Sequence, residues 1–218
     1  MSSPLASCKS LSPSFPEPIG GRRKRILDLV ITVPVLILLA PVFMIIAILI
    51  RRDSPGPAFY TQRRVGLDGK DFRLVKFRTM VVGAERIGPG LDNDVGDPRI
   101  TTIGTRLRAA SIDELPQLLN VLIGDMSIVG PRPTLRDQVE RYSPEQRRRL
   151  RARPGITGLA QISGRSTLPW SQRIVIDLHY VDEWSLRLDL GIIMRTIPAL
   201  LRKDETYPGG IQEVDLDE

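Results

Sequence analysis

The sequence has very few of the side chains that build disulfide frameworks, zinc sites and base-stacking surfaces. It contains one cysteine, Cys8, and one histidine, His179, in 218 residues. A single cysteine excludes an intrachain disulfide framework, and one cysteine with one histidine is too few for a structural zinc site. Aromatic residues make up only 5% of the chain, which is poor for base stacking. We therefore expect no nucleic acid among the partners.

Glycine-rich nucleotide-binding motifs are also missing. No GxxxxGK[ST] or GxGxxG segment precedes a helical pattern, which argues against a P-loop or a Rossmann site. The triplet at 92–94 resembles the start of a calcium loop but lacks the glycine and the terminal glutamate of that loop. Positive charge is in excess, with a net charge of +6. This charge predicts an anionic partner, such as a phosphorylated substrate or anionic membrane lipids.

One long apolar run occupies residues 29–50, between basic clusters at 22–25 and 51–52. As a straight helix it would reach roughly 33 Å, about one hydrocarbon thickness. A single membrane-spanning helix is one interpretation. The basic residues at both ends and Pro41 near the middle favour another, because a proline removes a helical hydrogen bond. We predict a re-entrant helix that breaks at Pro41 and returns to the same leaflet.

The remainder of the chain has both strand and helix patterns. Two β-prone segments, 58–62 and 72–80, flank a turn at 65–70 and predict a β-hairpin. Three later segments have helical patterns: 144–153, 174–184 and 186–201. The first is rich in arginine and suits either solvent or anionic headgroups; the last has an apolar stripe for the core or a membrane interface. We predict an α+β, predominantly helical fold: a monotopic membrane protein with a re-entrant broken helix, a small β-hairpin and interfacial amphipathic helices.

Two adjacent carboxylates, Asp113 and Glu114, occur in segment 108–133, which reads RAASIDELPQLLNVLIGDMSIVGPRP. One interpretation is a capping box, with Ser111 as the N-cap and Glu114 at the third helical position. The other is phosphate chemistry, because a helix N-terminus attracts phosphate and an ionised aspartate can attack it. Arg108 and Arg132 can each bind a pyrophosphate, and Mg²⁺ suits few carboxylates with substrate phosphates. The pattern alone leaves both interpretations open.

Seven segments, taken in order, resemble a known family. They are KRILDL, TQRRVGLDGK, KFRTM, DPRITTIGTRLR, SIDELPQLLNVLIGDMSIVGPRP, RPGITGLAQISGR and DLHYV. In this order they resemble the bacterial sugar transferases, the monotopic polyprenol-phosphate phosphoglycosyl transferases that begin glycan assembly on a lipid carrier. The resemblance runs from about residue 24 to residue 201. One such segment would be a weak signal, but seven in order are specific.

The resemblance implies a reaction and a set of site residues. Such enzymes transfer a phospho-sugar from a UDP-sugar to polyprenol phosphate and release UMP. By the resemblance, Asp113 is the nucleophile that forms a covalent phospho-sugar aspartate, and Glu114 supports it and the Mg²⁺. Arg108 and Arg132 fall in the phosphate-binding region. Two further residues match active-site segments, Lys76 in KFRTM and Asp177 in DLHYV.

The resemblance also implies the membrane element and the location. The membrane helix of the family breaks at a Ser-Pro pair, and the matching pair here is Ala40-Pro41, without the serine hydroxyl. We expect the protein to lie in the bacterial inner membrane, with the catalytic domain on its cytoplasmic face. The sugar, the polyprenol length and the oligomeric state stay open, with a homodimer as one alternative. The rival hypothesis is a non-catalytic, membrane-anchored basic scaffold.

The predicted domain organisation has four parts. They are a disordered N-terminal segment (1–21), a re-entrant membrane helix hairpin (22–52), a cytoplasmic catalytic domain (53–202) and a flexible tail (203–218).

Overall fold

The computed structural model describes residues 18–87, 97–164 and 168–201. The predicted lead-in as far as residue 17, the 92–94 triplet and the predicted tail lie outside these residues. The helices are α1 (Gly21–Asp53), α2 (Thr102–Ala109), α3 (Gln117–Ile123), α4 (Arg136–Glu140), α5 (Leu159–Gly164), α6 (Trp170–Asp182) and α7 (Leu186–Leu201). The strands are β1 (Phe59–Val65), β2 (Asp71–Phe77), β3 (Ser127–Val129) and β4 (Gly155–Thr157). The fold is a mixed, mainly helical α/β fold.

The predicted β-hairpin is confirmed. Strands β1 and β2 pair antiparallel, from Phe59 opposite Phe77 to Val65 opposite Asp71, around a short 3-10 turn at Leu67–Gly69. The other two strands form a short parallel pair, with Ser127 opposite Gly155. The main core lies between the hairpin, α3, β3, α6 and α7. Its fully buried members include Leu74, Val121, Met126, Val129, Tyr180 and Ile192.

Helix α1 continues without interruption through Pro34 and Pro41. The predicted break at Pro41 therefore does not interrupt the helical backbone, and the re-entrant course stays a prediction. Within the described ranges, α1 is the one helix long and apolar enough to cross a membrane. Only 11% of its most apolar stretch is buried. Ile37 and Leu38 in its middle are more than 70% exposed. So much bare apolar surface is typical of a membrane-facing helix rather than a core helix.

Both ends of α1 bind the rest of the domain. At the N-terminal end, the Asp28 carboxylate accepts hydrogen bonds from the Ser127 hydroxyl at 2.9 Å and the Ile128 amide at 3.0 Å. At the C-terminal end, Ile46 and Ile50 are buried in a cluster with Phe77 and Leu107. This second end is also held by Arg78, which donates to the Ser54 carbonyl at 2.8 Å. The apolar middle of α1 is therefore fixed relative to the domain from both sides.

The basic cluster at 22–25 is only partly a surface feature. Lys24 is 3% exposed and donates to Asp189 of α7 at 2.7 Å and to the Tyr180 hydroxyl of α6 at 3.0 Å. Arg25 donates to the carbonyls of Val121 and Leu122 at the C-terminal end of α3. A cation there interacts favourably with the negative end of the helix dipole. The sequence pattern suggested membrane flanks, but these two side chains attach α1 to the domain.

Helix α7 turns part of its predicted apolar stripe outward, although Ile193 of the same stripe packs against the main core. Leu190 and Ile197 are 49% and 58% exposed, whereas Asp189 and Ile192 are buried. Of the two alternatives for this stripe, the core-facing one is wrong for Leu190 and Ile197. The cause is the Lys24–Asp189 ion pair, because it fixes which side of the helix faces inward.

We predict that the loss of either partner of the buried Lys24–Asp189 pair strongly destabilises the fold. Removing one partner of a buried ion pair leaves the other charge uncompensated, so Lys24→Met should lower the free energy of unfolding by about 3 kcal/mol. The matched control is Arg23→Met, because Arg23 is the exposed neighbour, and it should change stability by less than about 0.5 kcal/mol. Urea unfolding in detergent micelles measures both, and equal effects of the two substitutions would contradict the prediction.

Candidate active site

The carboxylate pair lies on a 3-10 turn rather than at the start of a helix. Ile112–Glu114 form this turn, and α3 begins only at Gln117, after Pro116. Ser111 has a left-handed backbone (φ 54°), and its side chain makes no capping hydrogen bond. The predicted capping box is therefore wrong. The prediction fails because the Glu114 carboxylate is bound by two distant cations instead of by the local backbone.

Glu114 is the centre of a charge cluster. Its Oε1 accepts from Lys76 of β2 at 2.8 Å and from Arg132, three residues beyond β3, at 3.0 Å. Burial opposes the negative charge, but Arg132 and Lys76 together hold the pKa of Glu114 well below its usual value. The carboxylate is therefore ionised at neutral pH. The turn, the hairpin and the Arg132 segment meet at this one oxygen.

Asp113 differs from its neighbour in having no side-chain partner. No side chain of the described residues makes a hydrogen bond with its carboxylate. Burial raises the pKa of Asp113, while the charge of Lys76 opposes that rise. A half-buried carboxylate that no side chain of the described residues binds, beside cations, has lone pairs available to attack an electrophile.

Arg108 reaches the same place from the last turn of α2. Its Nε donates to the Thr79 hydroxyl at 2.9 Å. Helix α2 can approach this closely because position 104 is a glycine, and a Cβ there would clash with the Thr79 carbonyl. Burial lowers the pKa of Arg108, and Asp113 partly offsets that effect. The guanidinium is held by one side-chain bond, which leaves its other N–H groups for a ligand.

These residues line one cavity of about 570 Å³, which we call the nucleophile cavity. Of the predicted site residues, it brings together Lys76, Arg108, Asp113, Glu114 and Arg132. The same wall contains further basic and hydroxyl side chains that the sequence analysis did not assign: Arg64, Arg78, Thr79 and Tyr60. All five predicted residues are charged and come from four separate segments of the chain, and three of them are cationic. Arg64 and Arg78 add two more positive charges, so the cavity favours an anion.

Arg64 is the most informative of the residues missed from sequence. Burial, together with the nearby charge of Arg132, lowers its pKa to about 10. Two cations this close together repel each other, and an anion bound between them removes the repulsion. The TQRRVGLDGK segment was the available signal, since Arg64 lies within it, but its alternation also fits an ordinary hairpin strand.

Asp177 lies behind this cluster in a second cavity of about 420 Å³. Its Oδ2 accepts from Arg149 Nε at 2.8 Å, and Arg149 also donates to the Arg132 carbonyl at 2.8 Å. Arg149 comes from the arginine-rich segment, yet it is only 3% exposed. Neither solvent nor headgroups surround it, so both sequence interpretations are wrong for this residue. Ser111, Glu114 and Arg132 line both cavities, and Asp177 lines only the second.

The metal-binding capacity of the described residues is limited. Across those ranges, no group of three or more histidine, cysteine, aspartate or glutamate side chains lies close enough to hold an ion. Asp113 and Glu114 supply two adjacent carboxylates, and Lys76 and Arg132 share one oxygen of Glu114. Such a donor set suits a cation that takes its remaining ligands from phosphate and water.

Comparisons with known proteins agree with the resemblance seen in the sequence. The profile described as bacterial sugar transferase matches residues 20–203. The exopolysaccharide production protein ExoY of Sinorhizobium fredii is 42% identical over 205 residues, which cover 88% of this chain and 91% of that protein. The UDP-glucose:undecaprenyl-phosphate glucose-1-phosphate transferase of Caulobacter vibrioides is 45% identical over 215 residues, which cover 94% and 80%.

A third relative extends beyond this chain. The undecaprenyl-phosphate galactose phosphotransferase of Salmonella typhimurium is 41% identical over 198 residues, which cover 84% of this chain but only 41% of that protein. All three similarities include the segments that carry the charge cluster around Glu114. By profile match and by identity over most of its length, this chain belongs to the bacterial sugar transferase family.

Proposed function

We propose that this chain transfers a sugar 1-phosphate from a UDP-sugar to a polyprenol phosphate, undecaprenyl phosphate in particular, and releases UMP. The relatives from Caulobacter and Salmonella are named for reactions of this type. The observation that carries the proposal is the environment of Asp113. Its carboxylate, which no side chain of the described residues binds, lines a cavity together with Lys76, Arg108 and Arg132, which is the arrangement that an attack on a diphosphate requires.

The proposed reaction has two displacements at one phosphorus. In the first, an oxygen of Asp113 attacks the β-phosphorus of the UDP-sugar, a P–O bond forms, and the bond to the leaving UMP breaks. In the second, an oxygen of the polyprenol phosphate attacks the same phosphorus, and the Asp113 carboxylate leaves. Lys76, Arg108 and Arg132 stabilise the charge on the phosphoryl oxygens in both steps. Two steps allow a soluble donor and a lipid acceptor to use one site in turn.

Mg²⁺ fits the two carboxylates on the turn. Asp113 and Glu114 would hold it, and the substrate phosphates would complete its coordination. When bound, the ion neutralises phosphate charge and so favours the departure of UMP. Glu114 stays ionised for this role, because Lys76 and Arg132 lower its pKa.

The location that we propose is the cytoplasmic face of a bacterial inner membrane. UDP-sugars are cytoplasmic, and polyprenol phosphates are membrane lipids. The exposed apolar middle of α1 supplies the anchor, and Arg51 and Arg52 are exposed in its last turn, where they suit anionic lipids. Since Ile46 and Ile50 of the same helix pack against Phe77, the residue after Lys76, the anchor leads directly to the site.

Removal of the nucleophile should abolish transfer. Asp113→Asn keeps the size of the side chain but removes the attacking carboxylate, so UMP release should fall on the order of 10⁴-fold or more. Asp137→Asn is the control, because Asp137 is an exposed aspartate of α4, and it should retain wild-type activity. With donor alone, mass spectrometry should find a phospho-sugar adduct on Asp113 of the wild-type chain. Appreciable turnover by Asp113→Asn, or an adduct elsewhere, would overturn the nucleophile assignment.

Removal of one phosphate-binding cation should slow transfer without stopping it. Lys76→Gln deletes a positive charge beside the reacting phosphoryl group, and we expect kcat/KM to fall by about 10²–10³-fold. Arg73→Gln removes a charge from the same strand at an exposed position and should leave kcat/KM within about twofold. Steady-state UMP release measures both. Equal losses would show that only the net charge of the hairpin matters.

Withdrawal of divalent ions should abolish turnover reversibly. EDTA removes Mg²⁺ from a site that has only two protein carboxylates, since such a site binds the ion weakly without substrate. UMP release should stop in EDTA and return when MgCl₂ is added in excess, and the thermal unfolding midpoint should not change. Full activity in EDTA would contradict the magnesium proposal while leaving the Asp113 assignment intact.

A further inference from the structure

The second cavity, which we call the α5–α6 cavity, has polar groups that the proposed chemistry does not use. It is lined by Thr157 at the end of β4, Gln161 of α5, and Trp170, Arg173 and Asp177 of α6. It shares the Glu114–Arg132 wall with the nucleophile cavity. A group attached to a phosphate at that wall can therefore extend into the α5–α6 cavity.

Among the residues that the structure describes, three buried atoms in this cavity have no hydrogen-bond partner: Gln161 Oε1, Trp170 Nε1 and Asp177 Oδ1. The rest of each side chain is held in place. Gln161 Nε2 donates to the Ile156 carbonyl at 3.2 Å, Asp177 Oδ2 accepts from Arg149, and the Trp170 ring lies over the Arg149 guanidinium, 5.5 Å from its carbon. Buried polar atoms are almost always paired, so three unpaired atoms around one cavity indicate a ligand that pairs with them.

The pattern of these atoms selects the kind of ligand. Two are acceptors and one is a donor, and hydroxyl groups satisfy both because they donate and accept. Apolar side chains, Ile156, Ile162 and Ala160, line the same cavity, and they suit the C–H faces of a ring. The cavity is lined by three guanidinium groups, Arg132, Arg149 and Arg173, and by two carboxylates, Glu114 and Asp177. Its formal excess is therefore one positive charge, less than that of the nucleophile cavity. These features favour a neutral, polyhydroxylated ring over a phosphate.

The two-step reaction gives such a ring a reason to occupy a separate cavity. Attacking and leaving groups lie in line at a transferring phosphorus, so UMP departs from the position that the lipid phosphate later enters. The sugar stays attached to the phosphorus in both steps. One subsite must therefore release UMP and then bind the lipid phosphate. The other subsite holds the sugar throughout.

The two cavities differ in the way this exchange requires. The nucleophile cavity includes Phe59 and Val82, which are 40% and 62% exposed, and Pro57 close to the end of α1. That apolar border suits a lipid arriving from the membrane. The α5–α6 cavity shares the Glu114–Arg132 wall with the nucleophile cavity, lacks Phe59, Val82 and Pro57, and has the unpaired polar atoms.

We propose that the α5–α6 cavity binds the sugar ring of the donor and retains it through both displacements, with Gln161, Trp170 and Asp177 contacting its hydroxyl groups. This inference rests on the proposed function. It makes these three residues the contacts that hold the sugar ring while its phosphate is transferred.

Two conservative substitutions test the proposal. Trp170→Phe removes the unpaired N–H donor and keeps a smaller aromatic ring. Gln161→Met removes the unpaired acceptor at similar size, together with the Nε2 hydrogen bond to the Ile156 carbonyl. Each should lower kcat/KM for the preferred UDP-sugar about tenfold, as expected for the loss of one buried hydrogen bond. Inhibition by UMP and the KM for polyprenol phosphate should not change, because neither ligand carries the sugar. Gln172→Met, at an exposed position of α6, is the matched control and should behave as wild type.

Deoxy-sugar donors separate a sugar contact from a general structural effect. The UDP-sugar analogue that lacks the hydroxyl bound by Trp170 should lose activity with the wild-type enzyme but lose nothing further with Trp170→Phe. If Trp170→Phe lowered kcat/KM by the same factor for every deoxy analogue, the proposed contact between Trp170 and a sugar hydroxyl would be wrong. A raised KM for polyprenol phosphate in both variants would overturn the proposal in favour of a lipid site, and weakened inhibition by UMP would do so in favour of a nucleotide site.

The failure of this inference can be distinguished from that of the proposed function. If the wild-type enzyme releases UMP and the Gln161 and Trp170 variants match it with every donor, only the sugar cavity is wrong. If the wild-type enzyme releases no UMP from a panel of UDP-sugars with polyprenol phosphate and Mg²⁺, the proposed function is wrong, and this inference fails with it.

Discussion

One carboxylate oxygen, Oε1 of Glu114, joins three parts of the chain that are far apart in sequence. Lys76 comes from the hairpin, Arg132 from the segment after β3, and Glu114 from the turn between α2 and α3. Without this oxygen, the two cations would repel each other across the cavity. With it, they stay close together and still carry a net positive charge, which a diphosphate can complete. The position of Asp113 follows, because it is the residue before Glu114 on the same short turn.

A second set of buried charges joins α1 to the rest of the domain, as Glu114 joins the parts of the site. Asp189 accepts from Lys24, Tyr180 and Trp184, so α1, α6 and α7 meet at one carboxylate. Buried ion pairs add less to stability than apolar packing of the same volume, but they tolerate few alternative arrangements. Here the pair selects one rotation of α1 and one of α7. Leu190 and Ile197 are turned outward as a result.

Local patterns in the sequence were enough for the hairpin and for the long helices α1, α6 and α7, because alternation, apolar periodicity and turn residues act over a few positions. They did not predict the shorter helices α2, α4 and α5. They failed where distant charges compete with local preferences. Glu114 has the spacing of a capping residue, but its partners lie 38 residues before it and 18 after it, so no short pattern contains them. Lys24 and Arg149 belong to basic clusters that are typical of surfaces, yet both are buried against aspartates. Membership of the family was predictable, since it depends on ordered segments; the partition into two cavities was not, because it requires side-chain positions.

The contact between α1 and the hairpin has a kinetic consequence. Phe43 of α1 packs edge-on against Phe77, with ring centroids 5.2 Å apart, and Phe77 is adjacent to Lys76. On the proposed membrane location of α1, this contact between two rings sets the height of Lys76 above the bilayer. On the proposed function, a lipid phosphate that diffuses in the headgroup plane is already at the depth of the reacting group. The search for the acceptor then takes place in two dimensions, and the rate of encounter depends on the surface density of the lipid rather than on its concentration in volume.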